Sequence, residues 1–170
     1  MKKHKAKKHA NKKNKGFSLI ELLIVVAIIL IIAAIAIPNL LRSRIAANEA
    51  SAVGSIRTLN TAEVTYNTTY PTVGFTGLTA LGPVASGGTA SSTAAGLIDA
   101  NLASGTKSGY SFTVTPATSV PSTDYQSAAA PVTLGTTGQR YFCSDSSGVI
   151  QYNATGSTGA TCAGGTNTPI

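Results

Sequence analysis

Histidine is almost missing from this chain. His4 and His9 are the only two, and both lie in a lysine-rich stretch at the start. Residues 17–170 therefore offer no imidazole for a Ser-His-Asp or Cys-His arrangement and no histidine ligand for zinc. A phosphate-binding Gly-Lys-Ser/Thr motif is also lacking. Charge is scarce: residues 71–170 hold five charged side chains, Asp99, Lys107, Asp124, Arg140 and Asp145, among Ser, Thr, Gly and Ala. Three scattered aspartates among hydroxyls read as turn residues rather than a calcium cage. These shortages point away from an enzyme and imply no metal and no cofactor. A weakly charged, hydroxyl-rich surface suits a closely packed extracellular subunit better than a cytosolic catalyst. The ten aromatics, six Tyr and four Phe, read as core and subunit-packing residues.

The positive charge that does occur is misplaced for a basic protein. Formal net charge is +7, yet eight of the thirteen basic residues are lysines within residues 1–16. Residues 17–170 carry five basic against six acidic side chains, about −1. A lysine run can bind nucleic acid. Here it abuts a long apolar segment, so the positive-inside rule explains it better: the tail stays cytoplasmic and the C-terminal part is exported. No nucleic-acid partner is expected.

The rest of the chain is organised around Lys15-Gly16-Phe17-Ser18-Leu19-Ile20-Glu21 and the run that follows. Residues 22–37 are sixteen positions without a polar side chain, and residues 17–41 are twenty-five with one charge, Glu21. As a helix at about 1.5 Å per residue the longer stretch covers roughly 37 Å, enough for a hydrocarbon core of about 30 Å. Pro38 should kink or loosen it by removing a backbone donor. One reading is a secretory signal peptide, with Ala34-Ile35-Ala36 as an A-x-A cleavage pattern, but the run is long for that and contains a glutamate. Another is a plain signal anchor. A third cuts between Gly16 and Phe17, so the basic tail leaves and the helix stays. Glu21 favours the third. A carboxylate in a bilayer costs about 2.5–3.5 kcal/mol on insertion scales and needs a partner. A cut before Phe17 creates one, since the new α-amino group is a cation at the depth of a neighbouring chain's Glu21.

The stretch from Lys15 onward resembles the class III signal sequence of type IV pilins and type II secretion pseudopilins. That pattern is a short basic leader ending in glycine, a cut before phenylalanine, and glutamate as fifth residue of the mature chain; Gly16, Phe17 and Glu21 match it, and Pro38 falls where the family carries a helix-loosening proline. The resemblance extends to about Tyr70. It implies a prepilin peptidase that cuts at Gly16-Phe17 and methylates the Phe17 amine, an assembly platform with a cytoplasmic ATPase, and self-assembly into a filament. It also implies a subunit stored in the inner membrane with a cytoplasmic N-terminus, then exposed on a cell-surface pilus. A pseudopilin of a type II secretion system is the near alternative; a monomeric exported binding domain on a signal anchor is a rival of another class.

Beyond the membrane segment, Ile45, Ala52, Ile56, Leu59 and Tyr66 recur at helical spacing, with Arg42, Arg44, Glu49, Arg57 and Glu63 expected mostly on other faces. Gly54 weakens the helix by about 1 kcal/mol relative to alanine. The helix should end near Tyr70, because Pro71 disfavours helical geometry before it. A helix of about fifty residues implies a partner surface on both halves. Residues 71–108 read as a loop-rich connector with a short helix or turn in 95–102. Strands are expected at 110–114 and 124–132 and as a hairpin of 140–143 and 149–152 around Ser144-Asp145-Ser146-Ser147-Gly148. Asn67 and Asn153 head short glycosylation patterns of low specificity.

The expected fold is thus α+β, a long helix on a small antiparallel sheet, as in pilins. Its parts are a leader (1–16), a membrane or filament-core helix (17–41), an amphipathic continuation (42–70) and a head (71–170). Cys143 and Cys162 both fall on the exported side, where a disulfide is favoured over two buried thiols. Closing a loop of that size contributes roughly 3 kcal/mol.

Overall fold

A computed structural model describes residues 16–154 and 167–170. The chain divides into two compact units, Met1–Asn39 and Leu40–Ile170, and helix α1 (Leu19–Thr69, 51 residues) supplies residues to both. In the first unit its side chains are exposed almost throughout, from Leu19 to Ile37. This part is long and apolar enough to cross a membrane, with a mean hydropathy of 3.3 over its best window and none of that window buried. Pro38 lies inside α1, which runs unbroken on both sides of it.

In the second unit, α1 buries Ile45, Ala52, Ile56, Leu59, Ala62 and Tyr66. The helix ends at Thr69, one residue before Tyr70-Pro71, as the proline requires. Two short helices follow, α2 (Leu78–Leu81) and α3 (Ala100–Ala103). The first falls within the expected connector, and the second overlaps only the end of the expected 95–102 segment. Asp99 caps α3 by accepting from the Leu102 amide at 3.0 Å.

Among the described residues, six strands then form one sheet in chain order, every neighbour antiparallel. They are β1 (Thr106–Lys107), β2 (Tyr110–Pro116), β3 (Tyr125–Pro131), β4 (Tyr141–Asp145), β5 (Gln151–Asn153) and β6 (Thr168–Pro169). A meander needs only tight reversals. Between β1 and β2, Ser108 (φ 50°) and Gly109 (φ 74°) supply the two left-handed positions of a two-residue hairpin turn. Between β4 and β5, the Gly148 amide returns to the Asp145 carbonyl at 2.9 Å, so the expected hairpin is present, though β5 begins only at Gln151.

Alternation along β2 and β3 sends one set of side chains to the helix. Phe112, Ala129, Phe142 and Tyr152 are successive cross-strand partners. The small Ala129 leaves room for the rings on either side, and Phe112, Ala129 and Phe142 join Ile56, Leu59, Tyr66, Leu81 and Leu102 in the core. The architecture is α+β, with a long N-terminal helix and a C-terminal antiparallel sheet.

Candidate functional site

The residues singled out at the N-terminus sit on a bare apolar helix. Gly16 and Phe17 precede α1, and Phe17 is 90% exposed. Glu21 lies in the first turn and accepts the Ser18 amide at 2.9 Å. Ser18-Leu19-Ile20-Glu21 therefore has the form of a capping box, in which the third helical residue reaches back to the residue before the helix. The carboxylate also complements the positive end of the helix dipole. This role within the chain was visible in the pattern Ser-x-x-Glu before an apolar run; the isolation of the charge drew attention away from it.

Further along, α1 carries a line of polar side chains that fasten the sheet. Asn48 donates to the Thr137 carbonyl at 2.9 Å, and the Ser51 hydroxyl to that of Ser108 at 2.9 Å. Asn60 donates to Ser144 Oγ at 2.8 Å and accepts from the Tyr125 hydroxyl at 3.1 Å. Glu49 and Glu63, expected mostly off the apolar face, are both buried on it. They complete the helical spacing 45, 49, 52, 56, 59, 63, 66, so the period placed them correctly and only their charge argued otherwise.

The two glutamates are held very differently. Glu49 Oε1 accepts the amides of Gln139 (2.9 Å) and Arg140 (3.2 Å), while Oε2 accepts Arg140 Nε (2.8 Å) and Nη2 (2.7 Å). The guanidinium also lies over the Phe142 and Tyr152 rings, at 5.5 and 5.3 Å. Among the described residues, no cation pairs with Glu63. Its Oε2 accepts the Thr76 amide at 3.0 Å, and its Oε1 is buried without a hydrogen bond. Burial pushes its carboxyl up to about 7, against which the Thr76 amide acts only partly.

Two of the three aspartates are cap and turn residues, Asp99 and Asp145, while Asp124 stands in extended chain just before β3. Asp99 caps α3 and pairs with Lys107 at 2.9 Å; that lysine's hydrogen bond holds its carboxyl below the usual range. Asp124 accepts from the Tyr125 amide, and Ser146 lowers its pKa. Asp145 accepts from the Ser147 amide at 2.9 Å. Cys143 is buried in β4, where Asn167 Nδ2 reaches its sulfur at 3.8 Å. Cys162 lies outside the described residues, so the expected pairing is not placed here.

Residues 11–37 match the prokaryotic N-terminal methylation motif. The type IV major pilin protein PilA of Myxococcus xanthus is 46% identical over 56 residues, 33% of this chain and 26% of that one. The type IV wide pilus major component PilA4 of Thermus thermophilus is 69% identical over 35 residues, 21% of this chain and 27% of that one. The chain thus spans about a quarter of the length of the curated relatives it matches. No solved structure matches it.

Proposed function

We propose that this chain is a prepilin, a structural subunit that polymerises into a type IV pilus. The observation that carries this reading is the bare apolar helix behind Gly16-Phe17, with Glu21 as its single carboxylate. Residues 1–16 act as a basic leader that holds the N-terminus in the cytoplasm. A prepilin peptidase cuts before Phe17 and methylates the new amine. Residues 17–41 store the subunit in the inner membrane, and an assembly platform with a cytoplasmic ATPase draws it into the filament. There the helix exchanges lipid for the apolar helices of neighbouring copies. Glu21 meets the Phe17 amine of a neighbour, and Pro38, lacking a backbone donor, eases local adjustment of the helix. Residues 42–70 and 71–170 form the exported head.

The test is the mature terminus. Intact-mass and N-terminal peptide analysis of the exported protein should give a chain starting at N-methylated Phe17. Gly16→Val should leave the precursor uncut, because a branched side chain replaces a small, flexible residue at the scissile bond. A mature terminus at Met1 or at Ile37 would remove this reading.

A second expectation concerns the head. We expect Cys143 to be bridged to Cys162 in the exported protein. Mass analysis with and without reduction and alkylation should show two thiols only after reduction. Cys143→Ser should lower head stability by roughly 3 kcal/mol, the loop-closure value for about twenty residues. Two freely alkylated thiols in protein recovered from the cell exterior would count against both the bridge and the topology.

A further inference from the structure

Among the described residues, Glu63 Oε1 is the one buried side-chain oxygen or nitrogen without a hydrogen bond. Glu63 has no exposed surface at all. An orphaned carboxyl oxygen in a core calls for a physical reason. Its surroundings supply one, because Glu63 is the point where residues 71–77 are fastened to α1.

That segment is held by few bonds. The Thr76 amide donates to Glu63 Oε2 at 3.0 Å. The Phe75 amide donates to the Ser122 carbonyl at 3.1 Å, and the Ser122 amide to the Val73 carbonyl at 2.8 Å. The Phe75 ring lies 4.8 Å from that of Tyr125. Gly74, at φ 83°, lies against Ser122 so closely that a Cβ would overlap its backbone. The Val73 and Gly74 amides turn back to the Tyr70 carbonyl at 2.9 and 3.1 Å, and beyond that turn residues 75–77 rest on Ser122 and Tyr125 on one side and on the Glu63 carboxylate on the other.

Among the described residues, no positive charge is paired with that carboxylate. Arg140 is engaged by Glu49 and Lys107 by Asp99, while Arg57, six residues before Glu63 on α1, is exposed and turned about 120° away from it around the helix. Asn60 and Tyr66 stand about one turn away on α1 and are neutral. The titratable group that senses Glu63 from the sheet is Tyr125, whose hydroxyl donates to Asn60 and which also feels Asp124 and Asp145. Residues 71–77 carry no ionisable side chain. An ionised Glu63 would thus be a buried charge with one donor and no counter-ion, which is costly. Protonation removes most of that cost. Loss of the proton can be relieved locally, by letting residues 71–77 lift and admitting water to Oε1, while the hydrophobic contacts of α1 stay in place.

We propose that Glu63 is a proton-operated latch: protonated, it keeps residues 71–77 closed against Ser122 and Tyr125; ionised, it releases them. This does not rest on the pilus reading and holds for any role of the head. The sign follows from linkage. Burial raises the carboxyl from its ordinary 4.5 to about 7. The closed state therefore binds more protons than the open one between those values, and closure weakens as pH rises through that window. Below it both states are protonated, and above it both are ionised, so the dependence flattens at each end.

The experiment is residue-resolved amide exchange on the full chain in detergent micelles, corrected for intrinsic exchange rates. Protection at Phe75 and Thr76 should fall by about fortyfold from pH 5 to pH 7, approaching tenfold per unit only in the middle of that window. Amides of α1 between residues 52 and 62 should not follow. Glu63→Gln, which keeps an acceptor for Thr76 and cannot ionise, should abolish the slope. A flat profile in the unaltered chain, or an equal slope in Glu63→Gln, would overturn the latch. Should that variant fail to fold, carbon-13 titration of the Glu63 carboxyl in the unaltered chain decides. A midpoint near 7 supports the proposal, and one below 5 sinks it.

Discussion

Glu21→Ala should leave the membrane pool of this chain intact and remove most of its filaments. The insertion side follows from composition. Glu21 is the single charge in residues 17–41, and a carboxylate in hydrocarbon costs about 2.5–3.5 kcal/mol on insertion scales. Alanine removes that cost and is the best helix former, so the span should insert at least as well. The assembly side follows from what the incoming subunit loses. Its Phe17 amine would be buried against apolar helices with no anion to meet it, and breaking a buried pair by removing one partner costs about 3–5 kcal/mol. That corresponds to a fall in incorporation of roughly two to four orders of magnitude, since about 1.4 kcal/mol is a factor of ten. The bond from the Ser18 amide to Glu21 supplies a competing explanation, because alanine also removes the acceptor in the first turn. Glu21→Gln separates the two. Glutamine serves the third position of a capping box as glutamate does, yet carries no charge. If the carboxylate only caps its own helix, the glutamine variant should assemble normally. If it pairs with a neighbour's amine, glutamine should give a filament yield between those of alanine and the unaltered chain. The measurement is fibre yield against membrane-pool level for the three proteins. Normal fibres from Glu21→Ala would end the pairing idea.

The features legible in the sequence were those set by period and by backbone chemistry. The apolar run, the helix end before Pro71, the Tyr125–Pro131 strand and the Asp145–Gly148 turn all follow from rules that act within a few residues, and each lies where those rules place it. Side chains were harder where burial and charge disagree. The same 3.6-residue period that selected Ile45, Ala52, Ile56, Leu59 and Tyr66 passes through Glu49 and Glu63. Placing them mostly off the apolar face puts charge before position. Their partners lie far away in sequence, Glu49 bonding residues 139 and 140 and Glu63 bonding residue 76, and no local signal announces a contact at that separation. The short helix α2 was missed for a related reason. Leu78–Leu81 has four residues and no side-chain cap, and Leu81 is buried in the core, so tertiary packing decides its shape more than propensity does. At the N-terminus the omission was of another kind. The Ser-x-x-Glu pattern was in plain view, and a single isolated charge invites an explanation between chains before one within the chain.

Glu49→Ala should destabilise the head by about 3 kcal/mol. Glu49 is 6% exposed and is fully used: two backbone amides share Oε1, and two guanidinium nitrogens share Oε2. Truncation orphans the Gln139 and Arg140 amides, each worth about 1–3 kcal/mol if left dry, and frees a guanidinium. The Arg140 side chain is 43% exposed and can recover water, so its share is smaller than for a fully buried cation. The expected shift in melting temperature for a domain of this size is about 10 °C. The partner substitution should behave differently. Arg140→Met leaves Glu49 its two amide donors but no counter-ion in a buried place, so the loss should be comparable. The joint change Glu49→Leu with Arg140→Met removes the charge problem from both sides while keeping much of the volume. Such replacements are often neutral or stabilising by about 1–4 kcal/mol, although here the two amides still need water or a new acceptor. The double variant should therefore be more stable than Glu49→Ala. Chemical denaturation of the full chain in detergent, followed by near-ultraviolet signals from Tyr141 and Tyr152, measures all three. A loss below about 1 kcal/mol in Glu49→Ala would mean that the ion pair holds the base of the sheet no more firmly than an ordinary surface pair does, and that the apolar contacts of Ile45, Ala52 and Ile56 with the head fix it there unaided.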